Sequence, residues 1–306
     1  MKNYLKILYI FALLFCTAQA YGQEMEGGLD DFDGFDNGFD WNEYWYELED
    51  EDIGNHDMYC PGCPTVDYLK LMTYNLKEPG YAKNGKVIKA SGADVVAVQE
   101  IRGLFIFYEI LKSKAGMIGV RTNTVWGVYG IALLWKPQLD TPTITERIMP
   151  RPSGSPEEDP ARAYIIAEFN DFCFISTHYS SGDANFRTAM SQAILDEDVV
   201  QNCINSGKPV YIAGDLNTQP FENEEAITNL TNAGFEILNN LTREGEDGES
   251  GKYVDKTTQG GRMIDLIFEY NKNLNHQTLW PHIPADADFT MSDHLPYIIT
   301  KKFIHY

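Results

Sequence analysis

The chain reads as an α/β protein, and three features of the sequence say so. From Tyr68 onward, apolar runs of strand length alternate with a few segments of helical period. Runs such as VVAV and YIAG are apolar on both faces, as central strands covered by helices must be. Six polar islands also sit at the tips of these runs or inside them. They are Asn75 after LKLMTY, Gln99-Glu100 after ADVVAV, His178 after FCFIST, Asp215 and Asn217 after VYIAG, Asp265 inside MIDLIF, and Ser292-Asp293-His294 before Leu295-Pro296. A hydrophobic strand ending in a chemically capable side chain is how an α/β scaffold presents a site at one edge. One island could be a strand-end cap; six together point to chemistry.

In chain order, the period-2 and continuous apolar runs predict strands at 68–75, 94–99, 118–125, 129–135, 142–149, 163–169, 171–177, 209–214, 263–270 and 295–303. Helical spacing predicts helices at 84–91, 103–114, 184–206 and 223–233. The third of these follows Gly182-Asp183 and carries Ile194, Val199, Val200 and Ile204 at helical intervals. The charged, Gly-rich stretch from Arg243 to Gly251 reads as an exposed loop, and no internal repeat is present. Residues 67–306 then form one domain, long enough to close a substantial core.

The N-terminus has a basic start (Lys2, Lys6), a short apolar run from Ile7 to Cys16, and Ala18-Gln19-Ala20. This is the pattern of a cleavable secretory signal over residues 1–20, and it predicts export to the periplasm or the medium. A membrane anchor needs about 20 apolar residues, more than this run supplies. Cys16 does not read as a lipidation site, because Phe15 stands where a small residue would be wanted.

Residues 21–66 form an acidic leader. Between Tyr21 and Met58 there is no Lys or Arg, and Asp and Glu there supply about two-thirds of the net charge of −21. Phe32, Phe35, Phe39, Trp41, Tyr44, Trp45 and Tyr46 are interleaved with Gly and Asp, which predicts a disordered, solvated segment. The alternative is an arm that docks on a partner or on the chain's own basic residues. Asp31, Asp33 and Asp36 lack the Gly and Glu that a calcium loop requires.

Beyond the signal the cysteines are Cys60, Cys63, Cys173 and Cys203. Cys60-Pro61-Gly62-Cys63 has redox-motif spacing but no surrounding βαβ pattern, and no second CxxC completes a zinc site. In an exported chain it reads as structural, a local disulfide or a staple to another cysteine.

Phosphodiester hydrolysis needs a cation for the phosphoryl charge, a base for the water and donors for the developing oxyanion. Carboxylates and amide oxygens are what Mg²⁺ prefers. Glu100 ends a buried run, and Asn75 precedes a Leu-Lys-Glu-Pro-Gly turn in which it could also be a simple turn former. Asp265 interrupts a core strand, where a carboxylate must be paired or hydrogen-bonded. His178 and His294 are the candidate partners, each at an apolar strand boundary. His56, His276, His282 and His305 read as surface residues of the leader, loops or C-terminus.

The TYNL, QE, GDLN, ID and SDHLP motifs, in this order, resemble those of the endonuclease/exonuclease/phosphatase superfamily, from about Tyr68 to Ile304. The resemblance implies a four-layer α/β sandwich, two mixed β-sheets packed face to face with helices outside. It implies a metal-dependent phosphoesterase using Mg²⁺ or Mn²⁺, with Glu100 as main ligand and Asn75 and Asp293 nearby. Asp265 would orient His294, which takes a proton from water. Asp215 and Asn217 would hold nucleophile and phosphate, and His178 would stabilise the phosphorane.

A histidine at the place of His178 resembles the deoxyribonuclease I, neutral sphingomyelinase and inositol-phosphatase branches. Gln99-Glu100-Ile101-Arg102 and the spacing of Arg162 before Phe169 resemble the deoxyribonuclease I branch, where these arginines contact DNA. One departure is that the carboxylate orienting the first histidine there has no counterpart, Tyr129 falling near its place. The implied function is a deoxyribonuclease I-like endonuclease with DNA as substrate. The alternatives are a lipid-headgroup phosphodiesterase, an inositol-phosphate phosphatase, or a binding module that kept the fold and lost catalysis. No obligate protein partner is evident. The acidity predicts weak, salt-sensitive DNA binding through few cations.

Overall fold

The computed structural model describes residues 65–77, 80–101, 105–122, 130–151, 153, 161–222, 224–239, 255–271, 276–284, 287 and 292–305. The signal segment, nearly all of the leader, Cys60, Cys63, Arg102, Tyr129 and the 243–251 loop lie outside these residues.

The strands are β1 (Thr65–Asn75), β2 (Val95–Ile101), β3 (Ile118–Arg121), β4 (Gly130–Trp135), β5 (Thr143–Met149), β6 (Arg162–Glu168), β7 (Cys173–His178), β8 (Val210–Asp215), β9 (Glu236–Ile237), β10 (Asp265–Tyr270), β11 (His276–His282) and β12 (Tyr297–His305). The helices are α1 (Tyr81–Ser91), α2 (Phe105–Ala115), α3 (Ala184–Leu195), α4 (Asp198–Ser206) and α5 (Glu225–Asn232). They build two six-stranded mixed sheets, ordered β11-β12-β1-β2-β4-β3 and β5-β6-β7-β8-β10-β9. β1–β2 and β7–β8 are the parallel pairs. Among the described residues no helix is long and apolar enough to cross a membrane.

Side-chain alternation along the central strands makes the layers. Val95 and Ala97 of β2 face inward with Ile165, Phe174, Ala213 and Ile267 of the other sheet, forming the core between the sheets. Val96 and Val98 face outward and pack with Tyr81, Ile88, Tyr108 and Leu111 of α1 and α2. Across the second sheet, Ile175, Ile212 and Phe268 meet Phe186, Met190, Val200 and Leu230 of α3, α4 and α5. The result is the four-layer α/β/β/α sandwich. Runs apolar on both faces lie at its centre, since each face meets a different layer.

Three expectations need correction. The helix read over 184–206 is two helices, broken where Glu197 adopts an extended backbone (φ −66°, ψ 125°). The Glu197 carboxylate accepts from Tyr164 Oη (2.8 Å) and Arg147 Nε (2.7 Å), which ties the break to β5 and β6. Both helices pack on the same sheet face, so the apolar spacing continues across the break. Next, β9 and β11 join sheet edges where no strand was read. His276 and His282, taken as loop residues, lie in β11, and His305 closes β12. Finally, Cys173 of β7 and Cys203 of α4 are free, buried thiols, which removes the staple to either of them, while a local Cys60–Cys63 bridge falls outside the described residues.

Two buried features hold the sandwich in register. Lys301 of β12 donates to Glu269 Oε2 of β10 (2.7 Å) and to Thr278 Oγ1 (2.7 Å), a charge pair joining the sheets with Lys301 only 1% exposed. In the second sheet, parallel β7 and β8 approach so closely at Thr177 and Gly214 that a Cβ on Gly214 would lie 2.1 Å from the Thr177 carbonyl oxygen.

Breaking the buried pair strands one charge. Lys301→Met should therefore cost about 3–5 kcal/mol in urea unfolding, while Lys301→Met with Glu269→Leu should recover most of it. A double variant no better than the single would mean the pair has no shared energetics. Gly214→Ala must push β7 from β8 and should cost roughly 1–3 kcal/mol as an overpacked site, with catalytic loss beyond the fraction unfolded. Wild-type stability and turnover would show that the close approach is dispensable.

Candidate active site

Strand register assembles the site. Across the second sheet, His178 of β7 pairs with Asp215 of β8, and Asp215 pairs with Asp265 of β10, so the three stand in one rung at the sheet's edge. In the first sheet Asn75 of β1 pairs with Gln99 of β2. The β2–β4 register shifts between Val98 and Ile101, and within that bulge Glu100 takes a left-handed backbone (φ 57°). A bulge at a sheet rim re-aims a side chain, and Glu100 Oε1 accepts from Asn75 Nδ2 (3.2 Å). The non-glycine residues with positive φ among the described residues are Lys77, Glu100 and Asn217, all at this rim.

Asp215 is the hub. Its Oδ1 accepts the Asn217 backbone N–H (2.9 Å). Its Oδ2 accepts from Asn75 Nδ2 (3.0 Å) and lies 3.6 Å from His178 Nε2 and 3.8 Å from His294 Nε2. Burial, then the Asp265 charge, pushes the Asp215 carboxyl up to about 7, against the pull of His294, Asn217 and Asn75. Asp265, fully buried, binds His294 Nδ1 through Oδ2 (2.8 Å). Burial alone would hold the His294 imidazole neutral. The carboxylates of Asp265, Asp215 and Asp293 outweigh it and raise His294 to about 10.

Further hydrogen bonds hold this geometry. Ser292 Oγ donates to the Asn75 carbonyl (2.8 Å) and accepts the His294 N–H (3.1 Å), fastening the Ser-Asp-His loop to β1. Thr257 Oγ1 accepts the N–H groups of Ile264 (3.1 Å) and Asp265 (3.2 Å), and Thr258 bridges to His294. Asn239 donates to the Asp265 carbonyl (3.0 Å). Asn217 Nδ2 donates to the Tyr179 carbonyl (3.0 Å), and the Tyr179 N–H donates to the Asp215 carbonyl (2.9 Å). Ser292 belongs to the Ser-Asp-His island of the sequence. Thr257 and Asn239 carry no local signal.

The structure thus brings together Asn75, Glu100, Arg162, His178, Asp215, Asn217, Asp265, Asp293 and His294. Three of these residues make contacts that the sequence does not show. Asn75 turns its Nδ2 to the carboxylates of Glu100 and Asp215 and its Oδ1 to the Lys77 N–H (3.1 Å), so it braces both acids. Arg162 is 2% exposed, with NH1 3.3 Å from His178 Nε2 and NH2 3.4 Å from Ser181 Oγ. It belongs to the floor of the site and is no surface grip for a distant duplex phosphate. His178 Nε2 thus lies between the Arg162 guanidinium and the Asp215 carboxylate (3.6 Å).

Do these residues fit a divalent cation? Asp265 Oδ1 and Asp293 Oδ1 are buried oxygens without hydrogen-bond partners among the described residues. Asp215, Asp265 and His294 present ligand atoms within 4.8 Å of one another. His294 already occupies Asp265, so this trio is a His–Asp pair against a third carboxylate. The remaining oxygens of Glu100, Asp293 and Asp215 are hard donors with more negative charge than their partners compensate. That donor set suits Mg²⁺ or Mn²⁺.

No curated protein sequence matches the chain. Among solved structures, an endonuclease/exonuclease/phosphatase from Bacteroides vulgatus is similar in fold at 16% identity, TM-score 0.60, covering 78% of this chain and 99% of that one. The human nocturnin catalytic domain, solved with a bound sulfate, is similar at 19% identity, TM-score 0.56, covering 78% and 97%. A mannosyl-6-phosphatase of Bacteroides thetaiotaomicron is similar at 14% identity, TM-score 0.56, covering 76% and 98%. The family model for the Endonuclease/Exonuclease/phosphatase family matches residues 72–294, the span that carries every site residue above. The chain belongs to the endonuclease/exonuclease/phosphatase family, whose fold is that of a phosphoester hydrolase.

Proposed function

We propose that the protein is an exported phosphodiesterase dependent on Mg²⁺ or Mn²⁺, with DNA as substrate, which hydrolyses the diester by in-line attack of water. The observation that carries this reading is the His294–Asp265 pair (2.8 Å) facing Asp215, with Arg162 and His178 on the opposite side of that carboxylate. Glu100 and Asp293, with Asp215 behind them, would hold the cation. When bound it neutralises phosphoryl charge and lowers the proton affinity of His294. His294, fixed by Asp265 on Nδ1, takes the proton of the attacking water on Nε2. Asp215, held by Asn75 and Asn217, orients that water, and Arg162 donates to a phosphoryl oxygen. Support for DNA comes from Arg102, in a sequence position that resembles the deoxyribonuclease I branch.

A second reading has one observation in its favour. Phe105 and Ile106 open α2 just beyond Glu100 and are 59% and 42% exposed. An apolar tip beside the site would suit a lipid-headgroup diester. Plasmid nicking and choline-phosphate release from sphingomyelin vesicles, run on one preparation, separate the two. Nicking with Mg²⁺ or Mn²⁺ that EDTA abolishes supports DNA, and release without nicking replaces it with the lipid reading.

If Asp265 and His294 act as one unit, His294→Ala and Asp265→Asn should each lose orders of magnitude in kcat and the double variant scarcely more. Multiplicative losses would mean independent roles. The proton on His294 should also be visible in stability. In EDTA its folded-state value of about 10 exceeds the ordinary 6.5, so its contribution is full below 6.5 and is lost as pH rises towards 10. The thermal-midpoint difference between wild type and His294→Gln in EDTA should shrink across that window. A difference that grows with pH would overturn the assignment.

A further inference from the structure

The rim carries a second cation that the hydrolytic reading leaves unused. Lys77 follows Asn75 by two residues, with a left-handed backbone (φ 41°) and its N–H donated to Asn75 Oδ1 (3.1 Å). From there its ammonium pairs with Asp293 Oδ2 of the Ser-Asp-His loop. A left-handed non-glycine residue costs of order 1 kcal/mol and persists only where the surroundings impose it. Here the Asn75 side chain imposes it, and the side chain that results spans from β1 to the loop before β12. The two side chains are 47% and 31% exposed, so the ammonium can withdraw into water without unfolding anything.

We propose that Lys77 is a placeholder for the divalent cation. Its ammonium neutralises Asp293 through Oδ2 while the cation is absent and is repelled when the cation takes the same carboxylate through Oδ1, so Lys77 sets the metal affinity of the site. The inference rests on reading Asp293 as a cation ligand. Asp215, Asp265 and Asp293 converge on His294, one compensating charge for three carboxylates, and holding them together without a metal is costly. A hydrated point charge on a flexible stem can offset part of that cost and then retreat. A cation about 2.1 Å from Oδ1 and an ammonium on Oδ2 would sit on one carboxylate and repel each other, which drives the flexible ammonium out.

The effects of removing Lys77 should have opposite signs. The metal-free protein loses a counter-charge, while the cation loses a competitor. A lysine that merely braced the loop would weaken both states when removed.

The test is Mn²⁺ titration followed by electron paramagnetic resonance, with thermal midpoints in EDTA, on wild type, Lys77→Met, Lys77→Arg, Asp293→Asn and the Lys77→Met/Asp293→Asn double variant. Lys77→Met should bind Mn²⁺ roughly fivefold more tightly, the scale of a half-exposed ion pair, and melt slightly lower in EDTA. Lys77→Arg should stay near wild type. Asp293→Asn should weaken binding, and in that background Lys77→Met should have no further effect. Unchanged or weaker binding by Lys77→Met, where Asp293→Asn does weaken it, overturns the placeholder and leaves the hydrolytic reading intact. Unchanged binding by Asp293→Asn overturns Asp293 as a ligand, and the placeholder with it.

Discussion

The rung formed by His178, Asp215 and Asp265 across β7, β8 and β10 is the constraint on which the site depends. Strand pairing is quantised: a slip of one residue would carry each side chain to the other face of the sheet. The close approach of Gly214 to Thr177 holds the β7–β8 register. Asn239 clamps β10 from beyond its edge through the Asp265 carbonyl and the Ile267 N–H. The apolar layers on both faces of the second sheet make any slip costly, because the same shift would expose Ile212 and Phe268 to the wrong layer. Catalytic geometry is therefore a by-product of core packing.

The chemistry follows from the charge this rung concentrates. Asp265 has no exposure and Asp215 scarcely any, so solvent screens neither. The protein answers with hydrogen bonds from Asn75 and Asn217, with a proton on His294, and with Lys77 at the open side. The two oxygens left without partners, on Asp265 and Asp293, mark how far that compensation falls short. An unmet demand for positive charge at the mouth of a pocket is what attracts both a cation and the phosphoryl group it neutralises.

The floor and the rim play different parts. The floor, with Asn75, His178, Asp215 and Asp265, is built on strand ends. The rim is built on the segments after β2, β8 and Arg262, where Phe105, Ile106 and Phe221 are exposed. Such loops can change without disturbing the sheets beneath. The burial of Arg162 sharpens the division, because it moves one expected DNA contact from rim to floor.

Much of this was legible in the chain. Runs apolar on both faces, such as VVAV and YIAG, announce central strands because only a covered sheet needs both faces dry. Polar residues at their ends announce the site, and Asp265 inside MIDLIF demands a partner wherever it is. β11 was not legible, because an edge strand needs only one apolar face and Pro281 interrupts its pattern. The break at Glu197 was hidden because two helices on one sheet face keep one apolar period.

What the sequence by itself determined was the class of fold and the inventory of acids, amides and histidines. Only the tertiary structure decided which atom faces which. Asn75 meets Asp215 across 140 residues and is bound by Ser292 across 217, and its amide turns its nitrogen to the carboxylates. Arg162 lies under His178, and Lys77 reaches Asp293. No local pattern encodes such pairings, because they depend on strand register, on the positive φ of Lys77, Glu100 and Asn217, and on the burial that makes each unsatisfied charge seek a partner.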